Sequence, residues 1–530
     1  MNRKGEAILT NKIGRRSFIK GMAVAGVAVA GAGVLTGCRS GSSSGSAVPT
    51  KWDKEADIVI VGGGGTGIVA AIVAREKGSS VIVLEKAAMV GGTTSLSGGV
   101  IQAAGTKFQK EFTRYQDDTP EKHYEYWMQA AEGLADPKLV KAMAYNAPSN
   151  IDWLVAHGLT YVSVYGVAPI PYIDPELMTD RIHVPGGAGK AAKAGTGQIH
   201  VKILYELAQK KGAEFMLETP VGELIYDPKK GVVGVRAQSG GKEIAVKAKK
   251  GVILATGGFD HNKDMAKTFS PQQFWAMETG AVLSAPTNTG DGIRMAMALG
   301  ADLAAMGGTI GVPFYNVAIA PLSQDIPEVP GIYVNKYGLR FVNEATHYAY
   351  CMRAVFNQEG HEAWAIFDEN TKNMGGEVIG GIFKPWSHDL SKEIADGSIK
   401  TAGTIRELAA KIGVNADNLE YTVNRWNSDT AKGKDTMFNK QLGLKPIARA
   451  PFYAAKVKEG NLGTCGGLKI NTKGQVMNVE GKVIPRLYAG GMCAGGFIGP
   501  YYPGSGTAIA ATVYFGRLCA QNACQEQPWE

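Results

Sequence analysis

The sequence holds six cysteines in 530 residues but no C-x-x-C pair and no C-x-x-C-H run. That absence excludes an attached c-type haem, and the spacing of an iron–sulfur cluster is missing as well. Once Cys38 is set aside, an odd set remains: Cys351, Cys465, Cys493, Cys519 and Cys524. A chain this long needs no staples, so buried thiols are expected rather than a disulfide framework. An excess of one charge is also lacking over most of the chain. The formal net charge is +8, yet Met1–Gly37 carries six Lys/Arg against one Glu, leaving 50 basic and 47 acidic residues beyond it. A balance so near neutral argues against nucleic acid as a partner. Disorder is excluded for most of the chain by 45% hydrophobic and 20% charged residues, which suffice for about two or three domains.

What is present begins at the N-terminus. Gly14-Arg15-Arg16-Ser17-Phe18-Ile19-Lys20 precedes the apolar run Gly21–Thr36, which is Gly- and Ala-rich and short against the ~20 apolar residues a spanning helix needs. The pattern resembles a twin-arginine export signal. Leu35-Thr36-Gly37-Cys38 resembles a lipoprotein box, with Cys38 as the lipidated residue. The expectation is a signal peptide over 1–37, a flexible tether over 38–52 rich in Ser and Gly, and an extracytoplasmic protein lipid-anchored at the cell membrane.

The most specific motif opens at Ala56. The apolar strand Ala56-Asp57-Ile58-Val59-Ile60-Val61 runs into G-x-G-x-x-G at Gly62, Gly64 and Gly67. Ile68, Ala70, Ala71, Val73 and Ala74 give the following helix its packing side, and Ser80–Leu84 reads as a second strand closed by Glu85. The chemistry requires these residue types in this order. Glycines permit the turn and the close approach of a pyrophosphate, the helix N-terminus offers partial positive charge, and the acid accepts from ribose hydroxyls. A second small-residue loop, Lys86–Gly99, follows at once with Gly91-Gly92-Thr93-Thr94 and Gly98-Gly99. A nicotinamide dinucleotide has no use for it, whereas FAD needs further backbone donors near its phosphates and ribityl chain.

The segments Glu85–Thr94 (E-K-x-x-x-x-G-G-T-T), Ala255–Gly258 (A-T-G-G), Thr289–Gly292 (T-G-D-G) and Gly338–Glu344 (G-x-R-F-V-N-E) together resemble the fumarate reductase/succinate dehydrogenase flavoprotein family, from about Ala56 to Ala520. The resemblance implies an α/β fold. A Rossmann-like, glutathione reductase-like FAD-binding domain over 53–299 and 441–530 would be interrupted by an α+β capping domain over 300–440, and Leu487–Gly491 would return the chain to the flavin domain. The likeness further implies non-covalent FAD, no metal, and cofactor contacts from Gly62, Gly64, Gly67, Glu85, Lys86, Gly92, Thr93, Thr94, Gly98 and Gly99. Further contacts would come from Val221, Ala255, Thr256, Gly257, Asp291, Gly491, Ala508 and Ile509.

Fumarate reductases of that family place one arginine after F-V-N-E and another before the final glycines. Here those positions hold Tyr348 and Tyr502, while about Val312 and the Leu462-Gly463 pair replace the two substrate histidines. A dicarboxylate needs cationic partners at both ends, so fumarate is not the expected substrate. The replacements resemble 3-ketosteroid dehydrogenases, in which a tyrosine follows N-E-x-x-x and a Y-x-x-x-G binds the substrate carbonyl. That likeness implies Tyr502 and Gly506 on the carbonyl oxygen of an α,β-unsaturated compound, hydride exchange between flavin N5 and the β-carbon, and proton exchange between Tyr348 and the α-carbon.

Tyr161, Tyr165 and Tyr172 are candidates for a further assisting tyrosine. His347 is expected to support the site rather than act as its acid, and Met492 stands where fumarate reductases carry a glutamate. The apolar segment Gly308–Pro330 suits a hydrophobic substrate. The expected function is an exported FAD-dependent reductase of an enone, lactone, steroid or acrylate. A separate membrane or extracytoplasmic donor would supply its electrons, because the chain has no haem motif and there is no NAD(P)H pool outside the cytoplasm. The alternatives are a ketosteroid-type dehydrogenase working oxidatively and an electron-transfer lipoprotein carrying FAD without a substrate.

Overall fold

The computed structural model describes residues 48–166, 169–187, 196–315, 318–319, 331–378 and 389–530. The signal segment, Cys38 and the tether up to residue 47 lie outside the described residues, as does most of the apolar segment beyond Tyr315. Two compact units divide after Ser44, and the second, Gly45–Glu530, contains all the described residues.

The run of β-branched residues at Ile58–Val61 forms the strand Lys54–Val61, buried on both faces as a central parallel strand requires. It pairs in parallel with Val81–Leu84 on one side and Lys242–Leu254 on the other, setting Ile60 opposite both Val83 and Ile253. Ile58, Val59 and Ile60 are fully buried. Each such side chain contributes about 1.5–3 kcal/mol by leaving water. The main path of this eight-stranded sheet runs Gln475–Met477, Val483–Ala489, Lys242–Leu254, Lys54–Val61, Val81–Leu84, Glu214–Met216. A strand from the last hundred residues is therefore the neighbour of Lys242–Leu254, in keeping with the return expected at Leu487–Gly491.

A second, seven-stranded sheet is centred on Phe452–Thr464, which pairs antiparallel with Thr309–Tyr315 at one edge and with Ala363–Asp368 and Ile399–Ala402 along its first half. Its strands begin at Ala281–Val282 and end at Thr464, so they extend beyond the 300–440 segment at both ends. Phe452–Thr464 buries most of its residues between partners drawn from remote segments. The helix Tyr348–Phe356 packs against this sheet.

Its entry is pinned by a buried ion cluster built from the G-x-R-F-V-N-E motif. The Arg340 guanidinium donates to both oxygens of Glu344 (3.0 and 2.9 Å) and of Asp435 (2.9 and 3.0 Å), and Lys440 stands 3.5 Å from Glu344. These cations hold the Glu344 carboxyl below its ordinary pKa against the cost of burial. Removing one member of such a cluster leaves an uncompensated buried charge, which costs about 3–5 kcal/mol.

The five cysteines after Cys38 are free thiols, and Cys351, Cys465, Cys493 and Cys519 are buried. Among the described residues, no helix is long and apolar enough to cross a membrane.

Candidate active site

A cavity runs along the carboxyl ends of the first two strands. At one end stands Glu85, whose two oxygens accept the backbone N–H groups of Gly63 (2.7 Å) and Ala87 (2.8 Å). A carboxylate so held keeps lone pairs for ribose hydroxyls. Lys86 lies beside it, bound to Asp291 (2.6 Å) and Thr289 (2.7 Å), which ties the E-K and T-G-D-G motifs together. Val221 lines the same end.

The middle of the cavity is made of backbone. Gly64 caps the helix Gly65–Glu76 with no side-chain hydrogen bond, so the first N–H groups of that helix face the cavity. Gly62 has φ +106°, and a Cβ there would stand 2.4 Å from the Ala255 carbonyl oxygen. The loop Gly92-Thr93-Thr94 and the strand end Ala255-Thr256-Gly257 close the opposite walls. An uncapped helix N-terminus, a glycine turn that admits no side chain and an acid one strand away make a cradle that fits FAD.

The other end is formed by Ile310, Leu462, Gly463, Met492 and Ala508. Ala508 connects it to the two tyrosines, because its N–H donates to the Tyr502 hydroxyl at 2.8 Å. Tyr502 and Tyr348 lie with ring centroids 6.3 Å apart. Tyr348 opens the helix Tyr348–Phe356, and its hydroxyl is hydrogen-bonded to Ser505 Oγ at 3.2 Å. Both rings are buried, and burial pushes the Tyr502 phenol well above its ordinary pKa. Tyr502 is therefore a hydrogen-bond donor that does not ionise near neutral pH.

Gly506, at φ +90°, is the N-cap of the helix Thr507–Ala523. A Cβ on it would come 2.6 Å from the Gln102 N, so only glycine lets the helix start this close to the strand Ile101–Gln102. The loop is held from behind. Tyr126 donates to the Pro503 carbonyl (2.6 Å), and the Gln102 side-chain oxygen meets both His123 (3.0 Å) and Thr507 (3.3 Å).

His347 caps the helix Tyr348–Phe356 through Nδ1, which accepts from Ala349 N at 3.3 Å. Burial lowers its pKa to about 3, so it stays neutral and serves as a cap. Of the other tyrosines considered, Tyr161 packs against Phe108 and His183. Tyr172 stacks on Tyr350, which in turn meets Tyr501. Tyr165 lies on the strand Tyr161–Gly166.

Not every residue expected at the cofactor lines the cavity. Gly67, Gly99 and Gly491 are places of close packing, where a Cβ would stand 2.0 Å from Gly62 O, 2.6 Å from Gly197 N and 2.2 Å from Thr66 Oγ1. Gly98 is exposed on the outside of its loop, and Ile509 is buried in the core next to the lining residue Ala508. Val312 is buried on the strand Thr309–Tyr315 and is not part of the wall, whereas Leu462 and Gly463 are.

The residues that sequence reading missed are Asp260, Asn288, Thr219, Thr287 and Thr512, all on the cavity wall. Asp260 is 1% exposed and accepts from Thr464 N (2.7 Å), Thr464 Oγ1 (2.8 Å) and Asn288 Nδ2 (2.7 Å). It lies two residues beyond A-T-G-G and outside every motif, so nothing in the sequence marks it.

A family model described as an FAD binding domain matches residues 57–509. The chain is 30% identical over 557 residues to the digoxin reductase of Eggerthella lenta, covering 98% of both chains. It is 32% identical over 472 residues to a fumarate reductase (cytochrome) of Shewanella frigidimarina, covering 88% of this chain and 77% of that one. Among solved structures, the 3-ketosteroid-Δ4-(5α)-dehydrogenase of Rhodococcus jostii RHA1 superposes with a TM-score of 0.76 at 29% identity, covering 90% of this chain and 98% of that one.

Proposed function

The chain belongs to the FAD binding domain family and is an FAD-dependent oxidoreductase acting on CH–CH groups, and on that premise we propose that it reduces the C=C bond of a neutral α,β-unsaturated carbonyl compound, an enone, lactone or steroid. One observation carries this reading. The Tyr502 hydroxyl meets the N–H of the wall residue Ala508, the Tyr348 ring lies 6.3 Å from that of Tyr502, and among the described lining residues the single cation is Lys86, ion-paired to Asp291 beside Glu85. Among the described lining residues a dicarboxylate finds no guanidinium or imidazolium, whereas a carbonyl finds a hydrogen-bond donor in Tyr502. The relatives include proteins named for digoxin and for a 3-ketosteroid as well as for fumarate.

Bound FAD supplies the two-electron exchange with the substrate's β-carbon. The protein's residues govern the rest. The Tyr502 hydroxyl accepts from Ala508 N and keeps its own proton, which it directs to the carbonyl oxygen together with the Gly506 N–H at the helix start. Negative charge developing on that oxygen is met by donors already in place, so no reorganisation is needed as it forms. Tyr348 delivers a proton to the α-carbon, and Ser505, in hydrogen-bond contact with it, couples the donor to the same glycine loop that carries Tyr502. A phenol gives a proton to an enolate more readily than it takes one at neutral pH, which favours reduction as the working direction.

The test is anaerobic reoxidation of the chemically reduced holoprotein by a panel of enones, steroids, aryl acrylates, urocanate and fumarate. A neutral enone, lactone or steroid is expected to reoxidise it fastest and fumarate to fail. Fastest reoxidation by fumarate removes the reading, and reoxidation by none of the panel points to an electron carrier.

A further inference from the structure

We propose that Asp260 sets the reduction potential of the bound cofactor, lowering it by holding a fixed negative charge at the ring end of the cavity. The adenosine half of FAD belongs at the Glu85 end and its pyrophosphate at the start of the helix Gly65–Glu76, so the isoalloxazine occupies the end walled by Ile310, Leu462, Gly463, Met492 and Ala508. Asp260 lies on that wall, and a Cβ built on Gly463 would stand 3.7 Å from Asp260 Oδ2.

Its partners mark it as a carboxylate. Thr464 N can only donate, Thr464 Oγ1 donates to the same oxygen, and the Asn288 amide donates to the other. Three donors thus meet its two oxygens. Among the described residues no Lys or Arg is ion-paired with Asp260. The donors that hold it are neutral, so the negative charge stays uncompensated on a residue only 1% exposed.

Reduction adds two electrons to the flavin, and with one proton taken up the ring gains a negative charge. A fixed anion on the wall disfavours that gain, so the bound cofactor becomes a stronger reductant, suited to an acceptor that is hard to reduce. This effect depends on the cofactor alone and holds whichever substrate the site takes.

Asp260→Asn is a fair test because the surrounding hydrogen bonds can be remade. Its carbonyl oxygen still accepts from Thr464. A rotated Asn288 amide presents its oxygen to the new NH₂, and the Thr93 hydroxyl, which now accepts from Asn288 Nδ2, can turn to donate. The measurement is spectroscopic equilibration of the full-length holoprotein with a redox dye of known potential, with FAD content read from the same absorbance. The expected result is full FAD content and a potential raised at least tenfold in the oxidised/reduced equilibrium, about 30 mV for a two-electron couple. Asp260→Ala, which removes charge and hydrogen bonds together, is expected to shift it in the same direction. An unchanged or lower potential in a variant that keeps FAD overturns the proposal. Loss of FAD from both variants also overturns it, by making Asp260 a residue of folding or cofactor retention.

Discussion

The two ends of the cavity are built on opposite principles. At the cofactor end the backbone does the binding: glycines whose Cβ atoms would strike neighbouring carbonyls, an uncapped helix start, and one acid whose oxygens are tied to the backbone N–H groups of Gly63 and Ala87. At the reaction end side chains do the work. Tyr348 and Tyr502 come from segments more than 150 residues apart, and the loop carrying Tyr502 is held by a buried hydrogen bond that Tyr126 donates to Pro503 and one that Gln102 accepts from Thr507. Damage to the first end should therefore empty the protein of cofactor, whereas damage to the second should leave a coloured, folded protein that turns over slowly.

The largest effect belongs to the backbone end. Gly62→Ala puts a methyl group 2.4 Å from Ala255 O at a φ of +106°, so the variant is expected to purify without FAD, read from the missing flavin absorbance. Normal FAD content would erase the distinction between the two ends.

A smaller effect is expected at the ion cluster that leads into Tyr348. Glu344→Gln leaves the Arg340 and Lys440 charges short of a partner and should lower unfolding stability by about 3 kcal/mol in urea titration. The remaining folded fraction should keep its FAD; release of FAD in step with Glu344 substitution would show that the cap and the cradle are not separable.

A separate effect concerns pH. Burial holds His123 and His347 to a pKa of about 3 and His183 and His200 to about 4, below the ordinary 6.5. The unfolded chain therefore takes up protons below pH 6.5 that the native state refuses, so this stability is full above 6.5 and is lost as pH falls toward 4. Each proton contributes about 1.4 kcal/mol per pH unit. Glu459, pushed up to about 8 by burial, works in the opposite sense: its contribution is full below 4.5 and is lost as pH rises through 8. His123 contacts Gln102 behind the tyrosine loop and His347 caps the Tyr348 helix, so mild acid should lower turnover before it releases FAD. Simultaneous loss of the two would sink that ordering.

Legibility in the sequence followed the same division. Strand, glycine turn, helix, second strand and acid lie within Ala56–Glu85 in a fixed order, because a dinucleotide cradle is local, and the structure has each of them in that order. The sheet around Phe452–Thr464 was not legible in extent. Its partners come from residues 281 to 402, and nothing local in the strand tells which sheet it will join. At Gly67, Gly99 and Gly491, expected at the cofactor, the structure shows close approach of helices and loops that the sequence pattern alone does not display. Asp260 was missed because it belongs to no motif, and only its contacts with Asn288 and Thr464, from two other segments, make it part of the wall.

The measurement that bears most directly on the tyrosine site is single-turnover reoxidation of reduced Tyr348→Phe by the best neutral enone of the panel. The expected result is unchanged FAD content and a rate at least ~100-fold below that of the unaltered protein, the usual size for losing a general acid. An unaltered rate with FAD in place would contradict the assignment of Tyr348 as the proton donor.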